Sequence, residues 1–201
     1  MISVPLDIVL DTPRCILRVV SEADVPFVWA ATRFAGFNNG MRWEAPNRPE
    51  ELIEANHRNL KSWELGEEFS FTVVEKSTLS PVGRASIRKG SRAGVWTFGY
   101  WVHPDYWGSG FAVEAARALI EFGFSHLGAA EITVGHAIWN HQSRRVVEKL
   151  GMRFVRENPC DFLKNGQPVA EYEYVVTRDE RSNICLQGDS ERGSTQTLDR
   201  T

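Results

Sequence analysis

The chain has 201 residues and carries 23 Lys and Arg against 26 Asp and Glu, which gives a formal charge of −3 at pH 7. A chain of this length predicts one globular domain that buries a sizeable core. The near balance of charge excludes a strongly basic protein, so we expect neither nucleic acid nor an anionic lipid surface as a partner.

Apolar runs, cysteines and histidines indicate the compartment and the metal content. No apolar run approaches the roughly 18 residues that a membrane span needs, and no basic-then-apolar signal pattern opens the chain. The three cysteines are widely spaced and odd in number, which is typical of reduced thiols. The five histidines fit no zinc-ligand spacing. We therefore expect a cytoplasmic protein without membrane contact and without a metal.

Composition changes once along the chain, after about Thr177. The segment that follows is rich in Ser, Asp, Arg, Gln and Gly and shows no apolar periodicity. Burial of so few apolar side chains does not offset the entropy of ordering the backbone. The sequence therefore predicts a domain over residues 10–177 and a flexible polar tail over residues 178–201.

The first part of the domain predicts one strand followed by two helices. Apolar residues alternate over Cys15–Val20, and Ser21 and Asp24 have the spacing of a capping box that begins a helix. After a loop that contains Asn and Gly, Pro49 is placed to begin a second helix, which ends near Leu65.

Three strands and a helix come next. The strands are predicted at Phe69–Glu75, Val82–Arg88 and Val95–Val102, with turn residues between them, so they form an antiparallel meander. A glycine-bearing turn over Pro104–Gly110 leads into a helix whose apolar residues recur at helical spacing, which predicts a largely buried helix.

The last third of the domain predicts three strands and a helix. The strands are Glu131–Ala137, Met152–Glu157 and Val169–Val176, and the helix is Ser143–Leu150, which Gly151 ends. The full order is β-αα-βββ-α-β-α-β-β, which predicts an α/β (α+β) domain with helices packed on a sheet.

Two glycines lie in the turn that joins the meander to the buried helix. Gly108 and Gly110 allow backbone N–H groups at the helix N-terminus to approach an anion closely, and Ala112 keeps the first turn uncrowded. A plain strand-to-helix connection has the same pattern. No Gly-Lys-Ser/Thr follows, and the third glycine of a dinucleotide fingerprint is missing, which argues against kinases and Rossmann dehydrogenases.

A second motif, Asn140 and Ser143, opens the next helix; taken alone, both are ordinary capping residues. Together, with this spacing and order of elements, the two motifs resemble the GNAT superfamily of acyl-coenzyme A-dependent N-acyltransferases, and within it the Rim-type branch of ribosomal-protein N-terminal acetyltransferases. The resemblance covers residues 12–176. The family's pyrophosphate loop lands on Trp107-Gly108-Ser109-Gly110-Phe111-Ala112. Trp107 departs from the Gln or Arg of the superfamily pattern but is usual in the Rim-type branch.

The resemblance implies a mixed, mostly antiparallel central sheet flanked by helices, and acetyl-CoA as co-substrate. In this fold the strands predicted at Val95–Val102 and Glu131–Ala137 splay apart, and the pantetheine arm lies between them like an additional strand. The thioester carbonyl would lie near backbone N–H groups around Trp101, Val102 and His103, which would form an oxyanion site.

The resemblance also implies direct attack by the amine through a tetrahedral intermediate, without a covalent enzyme intermediate. Coenzyme A leaves as a thiolate that needs a hydrogen-bond donor, and Ser143 is the candidate. Many superfamily members use a tyrosine one turn further along, where this chain has Val147. Asn140 would bind the pantetheine amide or cap the helix.

A base must remove a proton from the ammonium form of the acceptor before attack. The Rim-type branch can place an acidic residue just before the turn that joins the last two strands, which indicates Asp161. Glu171, Glu173 and His103 are alternatives for this role. Each carboxylate can also be an ordinary solvated side chain.

The remaining cofactor residues follow from the same matches. Arg144 or Arg145 is placed to reach a phosphate of coenzyme A, although surface arginines are often only solvated. The resulting cofactor set is Trp101, Val102, His103, Trp107, Gly108, Ser109, Gly110, Phe111, Ala112, Asn140, Ser143 and Arg145.

The sequence specifies the amine acceptor least. The resemblance implies transfer of an acetyl group to a protein N-terminus or a small-molecule amine, with specificity set by loops at residues 33–48 and 159–167. Glu44, Glu50 and Glu51 would tolerate a cationic acceptor. The alternative functions are a non-catalytic module that binds coenzyme A or a peptide, and an interaction surface built on exposed aromatics. Dimers are common in the Rim-type branch, so a homodimer is a further expectation.

Overall fold

An eight-stranded sheet runs through the protein, and four α-helices flank it. The computed structural model describes residues 2–181. The strands are β1 (Val9–Asp11), β2 (Cys15–Val19), β3 (Glu68–Glu75), β4 (Pro81–Lys89), β5 (Val95–Val102), β6 (Glu131–Ala137), β7 (Arg153–Lys164) and β8 (Gln167–Thr177). The helices are α1 (Val25–Thr32), α2 (Glu50–Glu64), α3 (Phe111–Ser125) and α4 (His141–Lys149), with short 3-10 turns at Glu22–Asp24 and Pro104–Tyr106.

The strand order is β1-β2-β3-β4-β5-β6-β8-β7. Neighbouring strands are antiparallel except β5 and β6, which are parallel and are connected by α3. This confirms the prediction of a mixed, mostly antiparallel sheet flanked by helices.

The parallel pair is short, and this creates the main opening in the sheet. β5 and β6 pair only from Val95 with Glu131 to Thr97 with Thr133. Beyond this point β5 stays paired with β4 as far as Val102, while β6 stays paired with β8 as far as Ala137. The two strands therefore diverge from Thr97 and Thr133 onward, as the resemblance implied.

Helix α3 lies against one face of the sheet and supplies much of the core. Leu119, Ile120 and Phe122 are almost completely buried on it. Gly123 permits a close approach to β6, because a Cβ there would lie 2.6 Å from Ile132 Cδ1. The helix is therefore buried against the sheet, as its apolar spacing predicts.

A second apolar cluster joins α1 and α2 to β5. Val28 and Leu52 are buried in it and pack toward Trp101, which is partly buried. The cluster places the segment between α1 and α2 over the diverging end of β5.

The predicted capping pair anchors the start of this helical layer. Asp24 is 2% exposed, and its carboxylate accepts hydrogen bonds from Ser21 N (3.0 Å), Arg18 Nη2 (2.6 Å) and Thr72 Oγ1 (2.6 Å). Burial would raise the pKa of Asp24, but these hydrogen bonds outweigh burial and hold the pKa below its ordinary value. The helix start is thereby fixed to β2 and β3.

Two strands differ from the prediction. The sequence does not predict β1, because this strand has only three residues and two of them are exposed, which is too short a segment to show an alternating pattern. β7 continues to Lys164 through the segment that the sequence predicts as a loop. Its register jumps from Asn158 opposite Glu171 to Phe162 opposite Val169, so Pro159–Asp161 forms a bulge. Proline in a polar run hides such a strand from pattern reasoning.

Hydrogen bonds tie residues on either side of the predicted domain, before residue 10 and after residue 177, to the rest of the fold. Trp63 Nε1 donates to Val4 O at 2.8 Å, and Arg178 Nη2 donates to Phe124 O and Ala129 O at 2.8 and 2.7 Å. The predicted tail from residue 182 onward lies outside the described residues. Within residues 2–181, no helix has the length and apolar character to cross a membrane, and no group of three or more metal-ligating side chains converges.

Candidate active site

A cleft of about 1000 Å³ opens where β5 and β6 diverge. Its walls come from the N-terminus of α3, from α4 and from the segment between α1 and α2. The cleft brings both sequence motifs together. The predicted residues that line it are Trp101, Val102, Trp107, Gly108, Gly110, Phe111, Ala112, Asn140, Ser143 and Arg145, whereas His103, Ser109 and Asp161 do not.

The divergence leaves backbone groups of β5 without a strand partner. His103 N donates to Val82 O at 2.9 Å, which fixes the phase of the ladder between β4 and β5. Because hydrogen-bonding direction alternates along a strand, the N–H groups of Phe98, Tyr100 and Val102 point away from β4. The Phe98 N–H still belongs to the pairing with β6 at Thr97 and Thr133, so those of Tyr100 and Val102 face the opening. These groups fit an extended polar chain lying between the strands.

The hydrogen-bond pattern between β4 and β5 differs from the predicted oxyanion site. Trp101 and His103 direct their N–H groups to β4, so Val102 is the member of the predicted trio whose N–H points into the opening. The His103 side chain is 7% exposed and stacks on Phe27 with ring centroids 5.4 Å apart, outside the cleft. His103 is therefore placed neither as an oxyanion donor nor as a base.

The glycine turn presents a row of bare N–H groups to the cleft. Gly108 and Gly110 have φ values of 79° and 84°, which lie in the left-handed region that favours glycine. Within the described residues, the N–H groups of Phe111, Ala112 and Val113 have no acceptor, because they form the first turn of α3. This geometry fits a pyrophosphate.

A brace from the β1–β2 hairpin holds this turn in place. Arg14 donates to Ser109 O through Nη1 and to Glu114 Oε2 through Nε, both at 2.8 Å, and Thr12 Oγ1 donates to Glu114 Oε1 at 2.7 Å. Burial would raise the pKa of Glu114, but the hydrogen bonds from Thr12 and Arg14 outweigh burial and lower the pKa. Ser109 thus helps to hold the turn through its backbone carbonyl, which accepts the hydrogen bond from Arg14.

The Asn140 and Ser143 pair forms at the start of α4. Asn140 Oδ1 accepts from Ser143 N at 3.0 Å, which caps the helix and leaves the Ser143 hydroxyl at the cleft. Tyr100 lies beside it, with its Oη 3.5 Å from Ser143 O. Burial raises the pKa of Tyr100 to about 12, so this phenol keeps its proton at neutral pH.

The two predicted arginines of α4 separate. Arg145 lines the cleft together with Lys149. Arg144 forms an ion pair with Glu148, Nε to Oε1 at 2.8 Å, on the exposed side of the helix. Arg145 therefore fits the predicted phosphate contact, and Arg144 does not.

The predicted base, Asp161, is engaged elsewhere. Asp161 lies in the β7 bulge, forms an ion pair with Arg42, and accepts from Asn158 Nδ2 at 2.9 Å. The alternative Glu173 pairs with Arg156, Nε to Oε2 at 2.6 Å, and does not line the cleft. Neither carboxylate reaches the space between β5 and β6.

Glu171, the other alternative, lines the cleft. It is 9% exposed, and its Oε2 lies 2.7 Å from the position that a Cβ on Gly135 would occupy. Burial raises the pKa of Glu171, and the nearby cations Arg42 and Arg88 only partly oppose this rise. A carboxylate with a raised pKa in a cleft is a strong candidate for a base.

Among the residues of the site that sequence reasoning missed are Tyr100, Gly135 and Arg42. Gly135 had a signal, because an isolated glycine inside a strand often marks a close approach by another group. Tyr100 shares one face of its strand with the buried Trp96 and Phe98 and therefore resembles an ordinary core position. Arg42 lies in a loop whose path the sequence does not specify.

The sequence matches known proteins over most of its length. Residues 14–153 match the family described as "Acetyltransferase (GNAT) domain". The chain is 28% identical over 177 residues to the "Uncharacterized N-acetyltransferase YoaA" of Bacillus subtilis, which covers 85% of this chain and 97% of that protein.

Two further proteins, one enzyme and one solved structure, are also similar to this chain. The chain is 33% identical over 104 residues to the "FsC-acetyl coenzyme A-N(2)-transacetylase" of Aspergillus fumigatus, and this match covers 51% of this chain and 44% of that protein. The chain thus spans less than half of that relative. The structure of Mycobacterium smegmatis RimJ in complex with CoA-disulfide superposes with a TM-score of 0.74 at 17% identity, over 87% of this chain and 89% of that chain.

Proposed function

We propose a reaction for this chain, which belongs to the GNAT acetyltransferase family and is an acetyl-CoA-dependent acyltransferase: it acetylates the primary amine of a protein N-terminus or of a small molecule. Membership follows from the match over residues 14–153 and confirms the resemblance read from the two motifs. The observation that carries the proposal is the Glu171 carboxylate, which lies over Gly135 in the cleft that Ser143 also lines.

The residues of the cleft fit acetyl-CoA. The bare N–H groups of Phe111 and Ala112 at the start of α3 suit the pyrophosphate, and Arg145 with Lys149 suits a further phosphate. The inward N–H groups of β5 suit the amides of pantetheine. Acetyl-CoA, when bound, supplies the activated acetyl group.

Glu171 is the proposed base, in place of Asp161. Its carboxylate has room to accept a proton from the ammonium form of the acceptor, since Arg42 Nη2 is 3.5 Å from Oε2. Its raised pKa brings its proton affinity closer to that of an amine, which suits a proton acceptor. The neutral amine then attacks the acetyl carbonyl, and the Val102 N–H stabilises the negative charge on the oxygen.

Ser143 is the proposed donor to the departing sulfur. As the C–N bond forms and the C–S bond breaks, the Ser143 hydroxyl donates a hydrogen bond to the thiolate, and the second proton that the nitrogen loses in becoming an amide neutralises that thiolate. Because a thiol has a pKa near 8.5, the thiolate leaves with modest assistance. Asn140 positions Ser143 through the bond from its N–H.

The second candidate is a binding module of the same fold that holds coenzyme A or a peptide without turnover. Such a module needs the glycine turn but neither Glu171 nor Ser143 in the cleft. The presence of both side chains there favours the enzyme.

Two measurements separate these candidates. Thermal unfolding with acetyl-CoA at about 100 times its Kd should show roughly 2.7 kcal/mol of added stability. Thiol release over a panel of amines and N-terminal peptides should then reveal turnover. Stabilisation without thiol release from any acceptor would favour the binding module, and no stabilisation would contradict both.

A further inference from the structure

Two glycines face each other across the divergence of β5 and β6. Gly99 and Gly135 each lie two residues beyond the last pair, Thr97 with Thr133, whose hydroxyls are 2.7 Å apart. Side chains alternate along a strand, so both glycines belong to the face that bears these threonines, the face covered by α1 and α2. The floor of the cleft is bare backbone at this level.

Opposite charges lie over the two bare positions. A Cβ on Gly135 would lie 2.7 Å from Glu171 Oε2, and a Cβ on Gly99 would lie 4.0 Å from Arg88 Nη1. A carboxylate and a guanidinium therefore flank the bare floor of the cleft where β5 and β6 diverge. Side chains larger than glycine would fill the space beneath both groups.

Arg88 has no anionic partner in residues 2–181. It forms no ion pair there, and Glu68, which lies opposite it on β3, does not reach it. Arg88 lines the cleft. Its guanidinium is thus free to bind a ligand.

Arg84, on the same face of β4, is a second cation without a matching anion. Nη2 donates to Asn56 Oδ1 at 3.0 Å, while the buried Nε has no partner. The nearby Asp24 carboxylate is already bonded by Arg18, Thr72 and Ser21 N. Arg84 also lines the cleft, and an anion there would offset the cost of burying its charge.

The carboxylates on this side of the cleft are largely neutralised. Glu44 pairs with Lys164 Nζ at 2.9 Å, and Glu51 lies 3.6 Å from Arg48 Nε. Two of the three glutamates that the sequence indicates for a cationic acceptor, Glu44 and Glu51, therefore lie beside cations. Arg84 and Arg88 form no ion pair within the described residues. A polycationic acceptor would meet the positive charge of Arg84 and Arg88 here, beside the carboxylates of Glu68 and Glu171.

We propose that the acceptor is an amine that carries a carboxylate a few atoms away: the ammonium binds at Glu171 and the carboxylate binds at Arg88, with Arg84 adding positive charge. This inference rests on the proposed function, because it takes Glu171 as the site of the reacting amine. The carboxylate can belong to a free amino acid or to an acidic side chain next to a peptide N-terminus. Arginine binds either through two parallel hydrogen bonds.

The test compares matched acceptors that differ only in this charge. One arm uses an amino acid and its amide, with KM expressed as the concentration of neutral amine. The other arm uses peptides that begin Ser-Asp and Ser-Asn. In the wild type, we expect KM to be about tenfold or more lower for the charged member of at least one pair, and the arm that shows it identifies the source of the carboxylate.

Variants assign the preference to residues. Arg88→Gln should bring the ratio of the two KM values close to one, and Arg84→Met should reduce it. Arg92→Gln is the matched control, because Arg92 pairs with Glu131 outside the cleft at 2.8 Å and its loss should leave the ratio unchanged. Equal KM values within both pairs, or a preference that survives in both cleft variants, would overturn the inference.

A binding measurement separates this inference from the proposed function. Calorimetric titration of the amino acid, its amide and both peptides into protein saturated with coenzyme A measures the preference without turnover. Absence of turnover with every amine would refute the proposed function, yet tighter binding of a charged member, lost in Arg88→Gln, would still support the carboxylate site. No preference in the titration would refute the site even if amines are acetylated.

Discussion

At the scale of single residues, the proposed chemistry depends on one carboxylate and one hydroxyl, each placed by its neighbours. Glu171 reaches the cleft because Gly135 leaves room beneath it. Ser143 reaches the cleft because Asn140 caps its helix. Both placements lead to separate expectations for turnover and for binding.

Ser143→Ala should reduce turnover about tenfold or more while acetyl-CoA affinity changes little, because the hydroxyl acts on the departing thiolate. Steady-state thiol release gives kcat, and a thermal shift titration gives the affinity. Equal losses of kcat and affinity would make Ser143 a binding residue instead of a donor.

Gly135→Ala should keep the fold but lower turnover. The new Cβ would lie 2.7 Å from Glu171 Oε2, the far end of a flexible side chain, so the carboxylate moves and the backbone does not. Thermal unfolding and thiol release together check this. A variant with unchanged turnover would show that the position of Glu171 does not matter to the reaction.

At the scale of elements, the glycine turn and the start of the helical layer are each held by a small set of contacts. The turn before α3 is braced by Arg14 and Glu114. The layer of α1 and α2 is anchored by Asp24. Each element offers a variant with a matched control.

Gly110→Val should weaken coenzyme A binding by more than its effect on stability explains. Gly110 has φ 84° in the turn at the cleft, whereas Gly128 has φ 66° after the other end of α3, with nothing within 4 Å of its Cβ position. Gly128→Val therefore carries similar backbone strain, about 1–2 kcal/mol, away from the cofactor site. Titration of both variants should show weaker binding for Gly110→Val alone; equal affinities would remove the turn from the site.

Asp24→Asn should destabilise the protein by roughly 3 kcal/mol at neutral pH, because it leaves Arg18 and Arg84 without the nearby buried charge. The pKa of Asp24 is lowered in the folded state, so its contribution is complete above the ordinary aspartate range and is lost as pH falls through the lowered pKa. Denaturant unfolding across acidic pH should show the difference from the wild type shrinking. Asp11→Asn, at an exposed pair with Lys76, is the control and should cost less than about 1 kcal/mol.

Element order could be predicted from the sequence more completely than the candidate site. Long periodic segments such as α3 and the meander are specified by their own side chains. The extension of β7 beyond Glu157 could not be predicted, because Pro159–Asp161 form a bulge that only pairing with β8 reveals. The family resemblance indicates Asp161 as base from its place before the turn, but which carboxylate reaches the cleft depends on the bulge register, on Arg42 and on Gly135.

At the scale of the whole molecule, one topological feature organises the function. The parallel pair of β5 and β6 ends after three residues because each strand follows its other neighbour. In the proposed reaction, the resulting opening takes the acyl donor along β5 and the acceptor on the face covered by α1 and α2. A homodimer stays a prediction from the Rim-type resemblance.

The most direct test of the account is the rate of acetyl transfer in a single turnover, with acetyl-CoA bound beforehand, in the wild type and in Glu171→Gln. We expect the wild-type rate to rise with pH through the raised pKa of Glu171, because only the ionised carboxylate accepts the proton. Glu171→Gln should bind acetyl-CoA normally, lose about 10²-fold in rate and lose this pH dependence. A Gln variant that retains the wild-type rate and pH profile would contradict the account.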